Sequence, residues 1–184
     1  AQMALARAYL VTGDTQLARQ ALNDAAAKAG FDVDTLLTVG RMQLQLGNLD
    51  GAAHAANKAL QSVPGEPAAM GLLVEVAARK GNAADVDKAM AALQAKNPGH
   101  PVTLVTAGHI AFSRGQPAKA LGFYKTIWEH EPSTSLAMNM AQAYAANKEP
   151  DKGVALLEGW ARKQPRDANA QRALADMQLF AGKP

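Results

Sequence analysis

Few side chains in this 184-residue chain are of a type to carry chemistry, and their spacing works against them. Glu129, His130 and Glu131 stand together beside Trp128, and oxygen and nitrogen donors of this kind bind divalent cations. Consecutive residues of a helix point in different directions, so the trio is not expected to converge on one ion. Asp85 and Asp87 fail for the same reason. His54, His100, His109 and His130 have no ligand partner at helical spacing and read as surface or half-buried imidazoles. Ser62, Ser113, Ser133 and Ser135 sit in no GxSxG elbow, and Gly182-Lys183 belongs to no phosphate loop. GxGxxG, HExxH and calcium-loop spacings are also missing from the sequence. With no cysteine there is no disulfide scaffold, CxxC redox pair or cysteine-based zinc ribbon. The expectation is a chain that is not an enzyme and carries no catalytic residue, cofactor or metal.

Composition turns attention from chemistry to architecture. A hydrophobic share of 48% excludes a disordered tail, and 41 alanines among 184 residues point to closely packed helices rather than sheets. The net charge of +3 is spread so evenly that no repeat departs from neutrality by more than one unit. A nucleic-acid binder concentrates Lys and Arg in a stripe with aromatics between them, and no such stripe is present. The longest uncharged stretch, Asn97 to Ser113, is interrupted by Pro98, Pro101 and two histidines, so it cannot span a membrane.

Punctuation reveals a repeat. Gly13, Gly47, Gly81 and Gly115 recur every 34 residues, as do Pro64, Pro98 and Pro132, with Pro165 following after 33. Apolar residues between them recur at three and four, as in Leu104, Ala107, Gly108, Ala111, which is a helix period. Each repeat is therefore two helices. The glycines are placed to end the first helix in a left-handed cap, and Asp14, Asn48 and Asn82 follow as candidate caps of the second. Pro117, Pro150 and Pro184 fall in the first turn of a second helix, where a missing N–H costs nothing. The prolines at 64, 98, 132 and 165 close the second helix, after which Ser133 or Asp167 can cap the next.

These residues resemble the tetratricopeptide repeat family, whose 34-residue pattern alternates large and small residues at fixed positions. The second repeat reads Leu36, Val39, Gly40, Gln43, Ala52, Ala56, Ala59, Pro64, and the fourth reads Leu104, Ala107, Gly108, Ala111, Ala120, Tyr124, Ile127, Pro132. The resemblance covers the whole chain. It implies an all-α, right-handed α-solenoid of antiparallel helix pairs, five repeats plus one extra helix. The repeats are 1–32, 33–66, 67–100, 101–133 and 134–167, with a half repeat at 168–184, in a single array. Small residues at Ala6, Gly40, Gly108, Ala141 and Ala175 on first helices, and at Ala18, Ala52, Ala120 and Gly153 on second helices, let paired helices approach. The third repeat has Val74 and Val86 at the small positions and Ala77 at the aromatic one, a volume exchange. Gln43 and Ala56 replace bulk in the second repeat, so residues 33–66 are expected to be the softest part of the array.

The pattern starts inside a repeat at Ala1 and stops at Pro184, as a piece of a longer protein would. Met177, Leu179 and Phe180 on the last helix are then expected to expose apolar surface and to favour a dimer through that helix.

The family resemblance also implies a binding surface, since first helices line a concave groove. Its central column here is Arg7, Arg41, Glu75, His109, Gln142 and Asp176, running from basic to acidic. Leu37, Leu44, Leu72, Arg79, Val105, Phe112, Met138 and Asn139 are expected around it, so the groove would take a protein or peptide segment. The carboxylate clamp of the chaperone-binding members is absent: Met3, Leu37, Gly71, Val105, Met138 and Arg172 occupy its lysine positions, and only Asn139 supplies the amide.

A narrower resemblance lies between Gly115 and Asp167. The turn Gly115 to Leu121, the helix Pro132 to Ala145 and the ending Leu156 to Asp167 look like the late repeats of bacterial tetratricopeptide proteins associated with exosortase and PEP-CTERM sorting and exopolysaccharide clusters. That likeness implies a non-catalytic interaction scaffold in the periplasm or cell envelope of a Gram-negative bacterium. The alternatives are a periplasmic scaffold of an alginate- or cellulose-type secretion system, or a direct carbohydrate-binding module. Sugar sites need aromatic platforms, and Trp128 and Trp160 read instead as core residues.

Overall fold

The computed structural model describes residues 2–30 and 32–182, and over that range the chain is helical throughout, with no strand among the described residues. The helices are α1 (Gln2–Thr12), α2 (Thr15–Lys28), α3 (Val33–Gln45), α4 (Leu49–Ser62), α5 (Pro67–Lys80), α6 (Ala83–Lys96), α7 (Pro101–Ser113), α8 (Pro117–Trp128), α9 (Thr134–Ala146), α10 (Pro150–Lys163) and α11 (Ala168–Phe180). They form two compact units, Ala1–Thr103 and Leu104–Pro184. In the first unit α1 to α6 each pack against the next, in the second α8 to α11 do the same, as in an α-solenoid, and first helices of adjacent repeats, α3 with α5 and α9 with α11, also touch.

Turn chemistry sets the helix ends. Gly13, Gly47, Gly81 and Gly115 all adopt positive φ, between 69° and 83°, a conformation that costs a side chain energy and glycine little. Asn48 then accepts from the Gly51 amide, Asn82 from Ala84 and Asp85, Ser133 from Leu136, and Asp167 from Asn169 and Ala170. Asp14 is a correction to the expected pattern. Its carboxylate caps no amide of α2 and instead accepts the Thr12 hydroxyl at 2.8 Å. Pro117 and Pro150 open α8 and α10 as expected, while Pro184 lies outside the described residues.

The fifth repeat departs from the glycine rule. Lys148 holds the turn position with φ 61°, the single described non-glycine residue in the left-handed region. That conformation costs about 1–2 kcal/mol for a residue with a Cβ. Lys148→Gly is expected to raise stability by about 1 kcal/mol after the added freedom of the unfolded chain is subtracted, measured by urea unfolding. No gain would mean that local contacts of Lys148 compensate for the strain.

Residues 33–66 do not lack a core, which removes the premise for their softness. In the first unit Leu36, Val39, Ala52, Ala55, Ala56 and Ala59 are buried in one cluster with residues of α1, α2 and α5. Gln43, at the position expected to be aromatic, is fully buried and its amide group is bonded on both sides. Its Nε2 donates to Asn23 Oδ1 at 2.9 Å, and its Oε1 accepts from Asn48 Nδ2 at 2.8 Å. Because Asn48 also caps α4, one polar chain ties α2, α3 and the start of α4 together. Gln43→Leu is expected to destabilise by about 1–3 kcal/mol, since it keeps the volume but strands the Asn48 amide. Hydrogen exchange should then accelerate in α3 and α4. In the parent, exchange should be faster in α1, which buries Ala6 alone among its described residues, than in α3.

The small positions are buried at helix contacts as expected, except Ala175, which is exposed on α11. A Cβ on Gly40 would lie 2.5 Å from Leu72 Cδ2, and one on Gly153 would lie 3.1 Å from the Ala141 carbonyl oxygen. Third-repeat Val74 and Val86 are buried, consistent with the volume exchange.

Candidate binding faces of the first helices

In the first unit the candidate groove residues sit on α1, α3 and α5. Arg7 and Arg41 are exposed, Glu75 is half-buried, and Arg79 is exposed. Leu44 is a correction, and so are the neighbouring Leu37 and Leu72. All three were expected to present apolar surface to a ligand, but each is less than a tenth exposed and belongs to the core between α3 and α5. The physical reason is the close approach at Gly40, which draws the first helices of adjacent repeats together until these leucines become their mutual packing. Arg79 is likewise engaged, with Nη1 donating to the Leu44 carbonyl at 3.3 Å.

That contact belongs to a pattern that the residue types alone did not disclose. Arg19 Nη2 donates to the Leu46 carbonyl at 2.7 Å, and Lys58 Nζ to the Ala26 carbonyl at 2.8 Å. Each cation meets carbonyls at the C-terminal end of a neighbouring helix, where unpaired acceptors and the negative end of the helix dipole favour positive charge. The sequence signal was faint: a basic residue about one repeat away from a helix end.

In the second unit the candidates form two groups. His109 Nε2 lies 3.0 Å from Asn139 Nδ2, and its ring meets Tyr124 edge-on at 6.1 Å. Tyr124 is buried, which pushes its phenol up to about 12, so it remains a neutral donor through the physiological range. Phe112, further along α7, is exposed. Gln142 and Asp176 both line a cleft of about 400 Å³ between α9 and α11, walled by Met138, Ala145, Ala173, Met177 and Phe180. Met177 corrects another expectation, being buried under α10, whereas Leu179 and Phe180 are exposed. Sequence reasoning placed Gln142 and Asp176 on the groove column but missed the cavity between them.

The acidic trio is also relocated. α8 ends at Trp128, so Glu129, His130 and Glu131 lie in the following turn, all exposed. Among the described residues no three His, Cys, Asp or Glu side chains are grouped to hold a metal ion. No described helix is long and apolar enough to cross a membrane.

The family profile described as "Tetratricopeptide repeat" matches residues 111–177. That segment carries the tetratricopeptide-repeat pattern. Among solved structures, a thermophilic tetratricopeptide-repeat protein of Thermus thermophilus superposes with a TM-score of 0.76 at 17% identity, covering 97% of each chain. A tetratricopeptide-repeat protein of Parabacteroides merdae gives 0.60 at 19% identity, over 99% of this chain and 73% of that one. The APC/C hetero-tetramer Cut9–Hcn1 gives 0.67 at 18% identity, over 98% of this chain and 36% of that one. At such identities the likeness is one of fold. No curated protein matches the chain in sequence.

Proposed function

We propose that this array is a non-catalytic scaffold that holds a protein or peptide segment on its first helices. The observation that carries the reading is the face of α9 and α11, where a cleft opens between Gln142 and Asp176 while second-helix residues such as Tyr124 and Leu157 are spent on the core. On the first unit the exposed Arg7 and Arg41 supply positive charge on α1 and α3. Neither tryptophan favours a sugar platform, because Trp160 is buried with its Nε1 donating to Thr134 Oγ1 at 2.8 Å, and Trp128 packs against it.

The finer reading places the scaffold in the periplasm or cell envelope of a Gram-negative bacterium, linked to exopolysaccharide assembly or PEP-CTERM sorting. Its support is the resemblance carried by Gly115 to Asp167. A dimer through α11 is the competing use of the exposed Leu179 and Phe180.

Affinity capture from a bacterial envelope extract tests both levels, with the chain as bait beside its R7E/R41E variant. Retention of polysaccharide-assembly proteins by the parent and their loss from the variant is expected, with association to the parent slowing as salt rises. Equal recovery on both baits would remove Arg7 and Arg41 from recognition. Recovery of partners from outside the envelope would overturn the location.

A further inference from the structure

We propose that the cleft between α9 and α11 receives a basic–apolar element of a protein ligand, with a large apolar side chain entering the cavity and a neighbouring lysine or arginine pairing with Asp176. The inference rests on the scaffold reading above and narrows it to the chemistry of the partner.

Size and lining carry the apolar half. A cavity of about 400 Å³ lies within the range of ligand pockets and has room for a large apolar side chain. Ala145, Ala146 and Ala173 keep it open, Met138 and Met177 give it adaptable walls, and Leu157 of α10 stands behind them.

Charge carries the other half. Asp176 is the single ionisable residue of the lining, with Gln142 as its polar neighbour. The whole of α9 contains no Asp, Glu, Lys or Arg. On α11 the other charge, Arg172, lies one turn before Asp176 and its Nη2 is directed at Asn169 Oδ1, 3.5 Å away. Apolar walls beside a carboxylate strengthen its field, so a cation next to the inserted side chain is favoured and an anion there is opposed.

The probes are three amidated octapeptides of Gly and Ser carrying a central Phe-Lys, Phe-Glu or Ser-Lys, titrated to millimolar concentration against the whole chain and followed by amide NMR shifts. Phe-Lys is expected to bind with shifts on α9 and α11, Phe-Glu to bind up to about fivefold more weakly, and the difference to shrink in high salt. Ser-Lys should fail for want of an apolar anchor. Asp176→Lys should invert the order of Phe-Lys and Phe-Glu. Ala146→Trp, at an exposed lining position, should abolish binding of every probe while leaving the helical circular dichroism intact.

Equal binding of Phe-Lys and Phe-Glu, an order unchanged by Asp176→Lys, or the absence of shifts with Phe-Lys would overturn the proposal. So would self-association in sedimentation that Leu179→Ser with Phe180→Ser removes, because a second copy would then cover the cleft. In the envelope capture, a partner lost on R7E/R41E but kept on Ala146→Trp would defeat the cleft and leave the scaffold reading standing. Capture unchanged by either variant would defeat both.

Discussion

Trp160→Ala is expected to destabilise the second unit by about 3–5 kcal/mol, the range for deleting a buried aromatic side chain. A loss of that size is a large share of the stability of a small domain. Trp160 packs in a cluster with Ala137, Leu157, Ala170 and Met177, and its ring meets Trp128 at 5.2 Å in an edge-to-face arrangement. The indole also begins a chain of hydrogen bonds across three helices. Its Nε1 donates to Thr134 Oγ1 at the start of α9, the Thr134 hydroxyl donates to Asp167, and Asp167 caps α11. Trp160→Phe retains most of the area and breaks the chain, so it should cost about 1 kcal/mol beyond the lost ring volume. Urea unfolding of both variants checks the pair of values. A loss under about 1 kcal/mol for Trp160→Ala, well below the range for a buried aromatic, would show that the indole is not a core element and reopen its use as a surface platform.

Acid should act on the same network. The Thr134 hydroxyl first and then the Ala170 amide hold the Asp167 carboxyl below its ordinary 3.8 against the opposing effect of desolvation, with a lesser contribution from the Asn169 amide. A carboxyl depressed in the folded state contributes stability above its unfolded value and loses it as pH falls through the folded value. Stability of the parent should therefore fall more steeply below about pH 4 than that of Asp167→Asn. Parallel acid profiles would remove Asp167 from the acid response.

Gly108→Val should destabilise by about 3 kcal/mol, because the Cβ position of Gly108 is already occupied by Tyr124. A Cβ built there would stand 2.2 Å from Tyr124 Cε1, 2.7 Å from Cζ and 2.8 Å from Cδ1. The ring cannot withdraw, being 2% exposed and enclosed by Leu121, Ile127 and Met140. Shortening the intruder should rescue the variant, so Gly108→Val with Tyr124→Leu is expected to lose less than the sum of the two single losses, by about 1 kcal/mol or more. Gly122 is the control. Nothing lies within 4 Å of its Cβ position, and Gly122→Ala should gain up to about 1 kcal/mol from helix propensity alone. Strictly additive losses in the double variant would show that the two residues are not in conflict.

The glycine and proline spacing was enough to divide the chain into helix pairs, since each turn is governed by a backbone preference that acts within three or four residues. Asn48, Asn82, Ser133 and Asp167 could be read as caps for the same reason. Asp14 has a similar local sequence and does not cap, because Thr12 competes for its carboxylate at shorter range. Close approach at Gly40, Gly108 and Gly153 was also legible, since a missing side chain at a repeat position signals contact without saying with what.

Partners in space were not legible. Gln43 looked like a weak point in a row of apolar residues, and only the approach of Asn23, twenty positions earlier, turns it into a saturated buried amide. Leu37, Leu44 and Leu72 occupy groove positions of the pattern, yet the spacing of α3 and α5 decides that they face each other rather than a ligand. Gln142 and Asp176 were placed on one column by their period, whereas the cavity between them depends on alanines and methionines of α9 and α11 that carry no signal in isolation. Periodicity along the chain thus determined the helices, their turns and the repeat, because those follow from short-range backbone energetics. Which side chains are covered, which charges meet helix ends and where a cleft remains open were decided by the tertiary structure, because each depends on distances between residues far apart in sequence.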